Sequence, residues 1–186
     1  STVFGTLTVL LDRSRVLQPK VVPFSEVPVG GLVVLPHQPD GVYDHLAVAQ
    51  TDAEDRLILH FPLEGLSIDP VALPSFDGAS PENYRVFSAS LDRRNDAGPH
   101  LFVWRPGSPV LAWQALECYA LGGCRPSGVV QSWSAPDPLV TAPLVYDLDR
   151  DGALDLVRIG LDTSGVSSLQ VAYGDGEGRL CGQPFT

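Results

Sequence analysis

Apolar and polar residues alternate along this chain in short runs. Ser168-Leu169-Gln170-Val171-Ala172-Tyr173 and Arg56-Leu57-Ile58-Leu59-His60-Phe61 are of the length and composition of half-buried β-strands. Turn signals separate the runs, among them Asp162-Thr163-Ser164-Gly165 and Gly174-Asp175-Gly176-Glu177-Gly178. With 18 Gly and 17 Pro in 186 residues, the chain is punctuated too often for long helices. The pattern predicts an all-β protein.

The order of elements repeats. A segment Asp40 to Ala49, followed by Arg56 to Phe61 and Asp69-Pro70-Val71-Ala72-Leu73, parallels Asp151 to Val157 and its successors. A further copy runs from Asp92 through Leu101-Phe102-Val103-Trp104 to the strand Val110-Leu111-Ala112-Trp113-Gln114. Asp40, Asp96 and Asp151 lie 56 and 55 residues apart by subtraction of their numbers, so the period is nearly constant. The N-terminus holds only the second half of a unit, Thr6 to Leu11 and Val16 to Val22. This divides one region, 1–186, into a half unit at 1–29 and whole units at 30–78, 79–135 and 136–186, with about fourteen strands in all. Four-strand units at this period suggest propeller blades.

The last unit carries the densest chemistry. In Asp147-Leu148-Asp149-Arg150-Asp151-Gly152-Ala153-Leu154-Asp155, four carboxylates surround one glycine. Asp147, Asp149, Asp151 and Asp155 offer side-chain oxygens and Ala153 its carbonyl, a donor set suited to Ca²⁺, which takes six to eight oxygens at flexible angles. Gly152 tolerates the positive φ that a tight curl demands. An EF-hand is excluded, because the twelfth position from Asp147 is Arg158 and the flanks are β-prone. The alternative is an acidic β-turn without metal, in which the four carboxylates repel one another.

Asp147-x-Asp149-x-Asp151-Gly152-x-x-Asp155-Leu156-Val157, the later Tyr173-Gly174-Asp175-Gly176-Glu177-Gly178 and the closing Gln183-Pro184 together resemble one FG-GAP repeat, the integrin-α-like or VCBS type of β-propeller blade. The resemblance is strong in 144–186 and weaker in the other two units. It implies blades of four antiparallel strands, about three and a half of them here, as a partial propeller or a fragment of a longer one. It also implies Ca²⁺ held by Asp147, Asp149, Asp151 and Asp155 between the first two strands of a blade. The other copies depart from the pattern. Aligned by the period, their ligand positions read Asp92, Arg94, Asp96 and His100 in the middle unit, and Pro36, Gln38, Asp40 and Asp44 in the first. Each keeps two carboxylates of four, so these degenerate loops are expected to stay ordered by hydrogen bonds and to hold no metal.

The net charge of −10, with Lys20 the one lysine, argues against nucleic acid and anionic membranes as partners. No apolar run is long enough to span a bilayer, and the chain shows no signal peptide and no Met, as expected of a processed product or an excised segment. Cys118 and Cys124 bracket a candidate hairpin tip, where they form either a disulfide in an oxidising compartment or two buried thiols. Cys181 is the odd one.

The sequence has no Gly-x-Ser-x-Gly elbow, and the glycine run 174–178 lacks the Lys-Ser/Thr of a phosphate loop. His37, His45, His60 and His100 show no ligand spacing. Trp104, Trp113 and Trp133 fit blade packing better than a sugar platform. These features point away from catalysis. They favour a calcium-stabilised, secreted, periplasmic or cell-surface module that binds protein or carbohydrate as an adhesion or scaffold element. The alternatives are the propeller part of a secreted polysaccharide- or lipid-degrading enzyme, or a subunit completed by further blades or another chain.

Overall fold

In the computed structural model, strand backbones are described at 6–13, 16–23, 29–35, 45–51, 57–61 and 66–67, and residues 84–92, 98–118 and 124–181 are described throughout. Side-chain surroundings are described for Leu35 and for residues 84–92, 98–118 and 124–181. The described residues are all-β, without a helix. Asp69 to Leu73, the hairpin tip 119–123 and Gln183-Pro184 lie outside them.

Among the described residues, fourteen strands form three four-stranded antiparallel sheets and one two-stranded hairpin. The hairpin is β1 (Thr6–Arg13) with β2 (Val16–Pro23). The first sheet is β3 (Val29–Leu35), β4 (His45–Thr51), β5 (Leu57–Phe61) and β6 (Leu66–Ser67). The middle sheet is β7 (Arg85–Ala89), β8 (His100–Trp104), β9 (Val110–Cys118) and β10 (Cys124–Ser134). The last is β11 (Leu144–Tyr146), β12 (Asp155–Leu161), β13 (Ser167–Gly174) and β14 (Leu180–Cys181). In every sheet the spatial order is the chain order, as expected when strands pair with their nearest neighbours through short turns.

The middle sheet is covered on both faces, and its sequence explains why. Every residue of β8 is buried, and Leu101-Phe102-Val103-Trp104 is correspondingly apolar without interruption. Alternate side chains feed two separate clusters. Leu101, Val103, Ala112 and Leu116 join Leu35 of the first sheet, and β3 lies against β7. Phe102, Trp104, Leu111 and Trp113 join Leu156 and Ala172 of the last sheet. Phe87 stacks on Phe102 with ring centroids 4.7 Å apart, and Trp113 lies on the other side of Phe102 at 6.1 Å. A disulfide joins Cys118 to Cys124, which face each other in the β9–β10 register and close the hairpin. Cys181 is exposed and free.

The contact between the middle and last sheets has a polar centre. Arg158, in β12, is 1% exposed. Its Nε donates to Gln170 Oε1 at 2.7 Å and its Nη1 to the Pro109 carbonyl at 2.9 Å, while Nη2 donates to the Asp137 carbonyl. The guanidinium carbon sits 5.0 Å from the Trp133 ring centroid. Burial draws the Arg158 pKa down to about 10, against the opposing pull of the Asp137 charge, so the group stays cationic at neutral pH. The Asp137 carboxylate accepts from Ser168 Oγ and Gln170 Nε2. Gly160 makes room for this packing: a Cβ there would fall 2.6 Å from Asp137 Cβ.

Candidate metal loop

The aspartate loop, 147–154, joins β11 to β12, with Tyr146 paired to Asp155 across its base. Its curl requires two left-handed residues, Arg150 (φ 62°) and Gly152 (φ 89°). Glycine adopts this conformation freely, whereas Arg150 is held there against its preference. The carboxylates assist by accepting from the loop backbone. Asp151 N–H donates to Asp149 Oδ1 at 3.1 Å, Gly152 N–H to Asp147 Oδ2 at 3.1 Å and Ala153 N–H to Asp151 Oδ1 at 2.8 Å.

These bonds bring three carboxylates together. One oxygen from each of Asp147, Asp149 and Asp151 lies within 4.8 Å of the others. Asp147 Oδ1 is shielded from solvent and has no hydrogen-bond partner. A buried carboxylate oxygen without a donor costs free energy, and adjacent like charges add to that cost. A hard cation would relieve both, so the residues present fit Ca²⁺.

Asp155 stands apart from this cluster. It is 1% exposed, and its two oxygens accept from Leu148 N–H at 2.7 Å and Gly174 N–H at 3.0 Å. It pins the start of the loop to β12 and ties β13 to the same point. Gly174 is required there, because a Cβ would come 2.3 Å from the Leu154 carbonyl oxygen. Arg158 lies in the contact with the middle sheet, away from the loop.

Strand register shows how the other loops correspond. Ala89 pairs with His100 as Tyr146 pairs with Asp155, and Leu35 pairs with His45. The connecting loops are therefore 90–99 and 36–44, both longer than 147–154. Ser90-Leu91-Asp92-Arg93 follows β7 as Asp147-Leu148-Asp149-Arg150 follows β11. By register, Asp92 thus matches Asp149, Ser90 takes the first ligand position, and His45 rather than Asp44 matches Asp155. The constant aspartate period conceals loops of unequal length. Asp40, Asp44, Arg94 and Asp96 lie outside the described residues.

His100 does in the middle loop what Asp155 does in the last. Leu91 N–H points at His100 Nδ1 across a long 3.4 Å contact, as Leu148 N–H points at Asp155. His100 is buried, and that burial lowers its pKa, with the Asp92 charge pulling the other way. Its neutral ring offers an acceptor where Asp155 offers an anion.

The glycine run forms a β-turn that docks onto the middle sheet. Asp175 Oδ1 accepts from Glu177 and Arg179 N–H, and Gly176 and Gly178 have φ of 74° and 86°. The Gly178 carbonyl accepts from Trp113 Nε1 at 3.2 Å. Trp104 and Trp113 are buried, which makes them packing residues rather than an exposed platform. The role of Arg158 was not legible in the sequence. The one available signal was a charged residue at an inward position of an alternating strand.

No family model, curated protein or solved structure matches this chain.

Proposed function

We propose that this chain is a calcium-stabilised repeat module of the FG-GAP/VCBS propeller type, which acts outside the cytosol as a non-catalytic binding or scaffold element for protein or carbohydrate. Four-stranded meanders stacked in chain order support the blade reading. The observation that carries the calcium reading is the convergence of Asp147, Asp149 and Asp151 around a shielded Asp147 Oδ1 with no hydrogen-bond partner. These three side chains, with the Ala153 carbonyl, would hold the ion. Asp155 and Gly174 would hold the loop. Bound Ca²⁺ supplies charge neutralisation that ties the first two strands of the unit together, which is a structural role. The Cys118–Cys124 disulfide supports an oxidising compartment. No helix among the described residues is long and apolar enough to cross a membrane.

The test is thermal unfolding in Ca²⁺ and in chelator. An ion at a hundred times its dissociation constant stabilises by about 2.7 kcal/mol, which in a chain of this size raises the Tm by about 5–10 °C. Asp149→Ala should abolish the difference. Coincident melting curves for the native chain in Ca²⁺ and in chelator would sink the calcium reading. Retention on an immobilised glycan and protein panel without turnover supports the binding role, and turnover of a glycan refutes it.

A further inference from the structure

We propose that His100 is an acid-operated latch on the seam between the middle and last sheets: when its ring takes up a proton, the turn 175–179 lets go of the middle sheet while the rest of the seam stays closed.

The seam has two polar fastenings. One is Arg158, whose guanidinium donates to Gln170, Pro109 and Asp137. The other is the turn, and it converges on His100. Asp92, in the loop after β7, pairs with Glu177 as an isolated antiparallel bridge. The Gly178 carbonyl accepts from Trp113 Nε1 at 3.2 Å and from Gln131 Nε2 at 3.5 Å. The His100 ring lies against Gly178, where a Cβ would fall 2.8 Å from Nε2. His100 is 4% exposed, and its backbone is held between Ala89 and Ala115.

This arrangement accommodates only the neutral ring. A neutral imidazole has one acceptor nitrogen and one N–H. Leu91 N–H points at Nδ1, so Nδ1 is the acceptor and Nε2 carries its proton toward Gly178. A second proton, on Nδ1, sets two donors against each other and leaves a cation in a site closed to water. The charged groups on the described segments around the ring are Asp92, from its own sheet, and Asp175, Glu177 and Arg179, from the turn. Asp92 attracts the proton, but burial outweighs that attraction and lowers the His100 pKa. Asp175 Oδ1 is engaged within the turn by Glu177 and Arg179 N–H. An imidazolium here gains hydration only by displacing a neighbour. Ala89 and Ala115 are fixed by strand pairing, whereas the bridge, the two bonds to the Gly178 carbonyl and the ring contact hold the turn. The turn is therefore the segment that moves. Arg158, with its pKa at about 10, keeps its charge through the same range, so acid opens one fastening and leaves the other. The closed turn is fully favoured above pH 6.5; below it, the open-to-closed ratio rises up to about tenfold per pH unit until the folded pKa is passed. The latch rests on the seam and not on the metal loop, so insensitivity to chelator would end the calcium reading and leave this one standing.

The experiment is fluorine NMR of the full chain labelled with 5-fluorotryptophan, with circular dichroism alongside. Trp113 reports the turn, and Trp133, stacked 5.0 Å from Arg158, reports the other fastening. As the pH falls from about 7.5 to about 5, the Trp113 signal should move to a second position with a one-proton dependence, while the Trp133 signal and the circular dichroism hold. His100→Asn keeps an acceptor for Leu91 N–H and takes up no proton, so its Trp113 signal should stay at the neutral-pH position. Gly178→Ala presses a methyl group on the ring and opposes the left-handed φ of 86°, so it should shift the transition to higher pH. A Trp113 signal that does not move overturns the proposal, and so does a change shared by Trp133 and the circular dichroism, since that is global unfolding. A transition retained in His100→Asn assigns the proton to another group and overturns it too. Should the asparagine variant fail to fold, Gly178→Ala decides: a transition that does not move to higher pH overturns the latch.

Discussion

Replacing Arg158 by methionine tests whether the polar centre between the middle and last sheets holds them together. Methionine fills the volume of the aliphatic stem and donates nothing. Of the three acceptors that Arg158 satisfies, the Pro109 carbonyl keeps a second donor, Ala135 N–H at 3.2 Å. Gln170 Oε1 and the Asp137 carbonyl lose the guanidinium. Each buried acceptor left without a donor costs about 1–3 kcal/mol, and the lost contact with Trp133 adds about 1 kcal/mol. Removing a buried cation returns part of this, because its own desolvation no longer opposes folding. The net expectation is a loss of about 3 kcal/mol, which lowers the Tm by about 10 °C in a chain of this length. Arg158→Lys should recover little, since one ammonium cannot reach three acceptors set out for a planar fork. In differential scanning calorimetry, Gln170→Leu combined with Arg158→Met should cost less than the sum of the two single changes, because the orphaned Oε1 is then absent. An Arg158→Met chain that melts with the native one would refute the assignment, and so would strictly additive losses.

Two further changes probe the loop and its neighbour. Gly174→Ala places a methyl group against the Leu154 carbonyl and should cost about 1–3 kcal/mol, with weaker Ca²⁺ binding by calorimetry as the end of the loop shifts; unchanged stability and affinity would show that the close approach is not limiting. His100 has its folded pKa lowered by burial below the ordinary 6.5, so its contribution is fully present above that value and is lost as pH falls below it, where the unfolded chain takes up a proton that the folded chain refuses. As the pH falls below about 6.5, the native chain should lose up to about 1.4 kcal/mol per pH unit relative to His100→Asn; a difference between the two that does not vary with pH would refute this.

Much of the architecture was legible in the alternation itself. The strands β12 and β13 follow from period-two runs between glycine turns. Alternation is a local property, set by which face of a pleated strand meets water, so the sequence alone determines it. The convergence of Asp147, Asp149 and Asp151 is also local, because a short loop with Arg150 and Gly152 left-handed can hardly place them elsewhere. What the sequence could not decide was which sheet packs on which face. Arg158 reads as an inward charge with no stated partner until Trp133 of β10, Pro109 before β9 and Asp137 in the connection from β10 to β11 come together around it. Asp155 reads only as one more carboxylate of the loop until the structure shows its two oxygens accepting from Leu148 N–H and from Gly174 N–H, on a strand further along. The match of Asp92 to Asp149 appears only once Ala89 is seen opposite His100, because an unequal loop shifts the alignment without disturbing the period. The partners of Arg158 are brought within hydrogen-bonding reach by packing across the two sheets, whereas Gly174 and His100 are placed by strand pairing within a sheet, and neither kind of contact is a local property of the sequence.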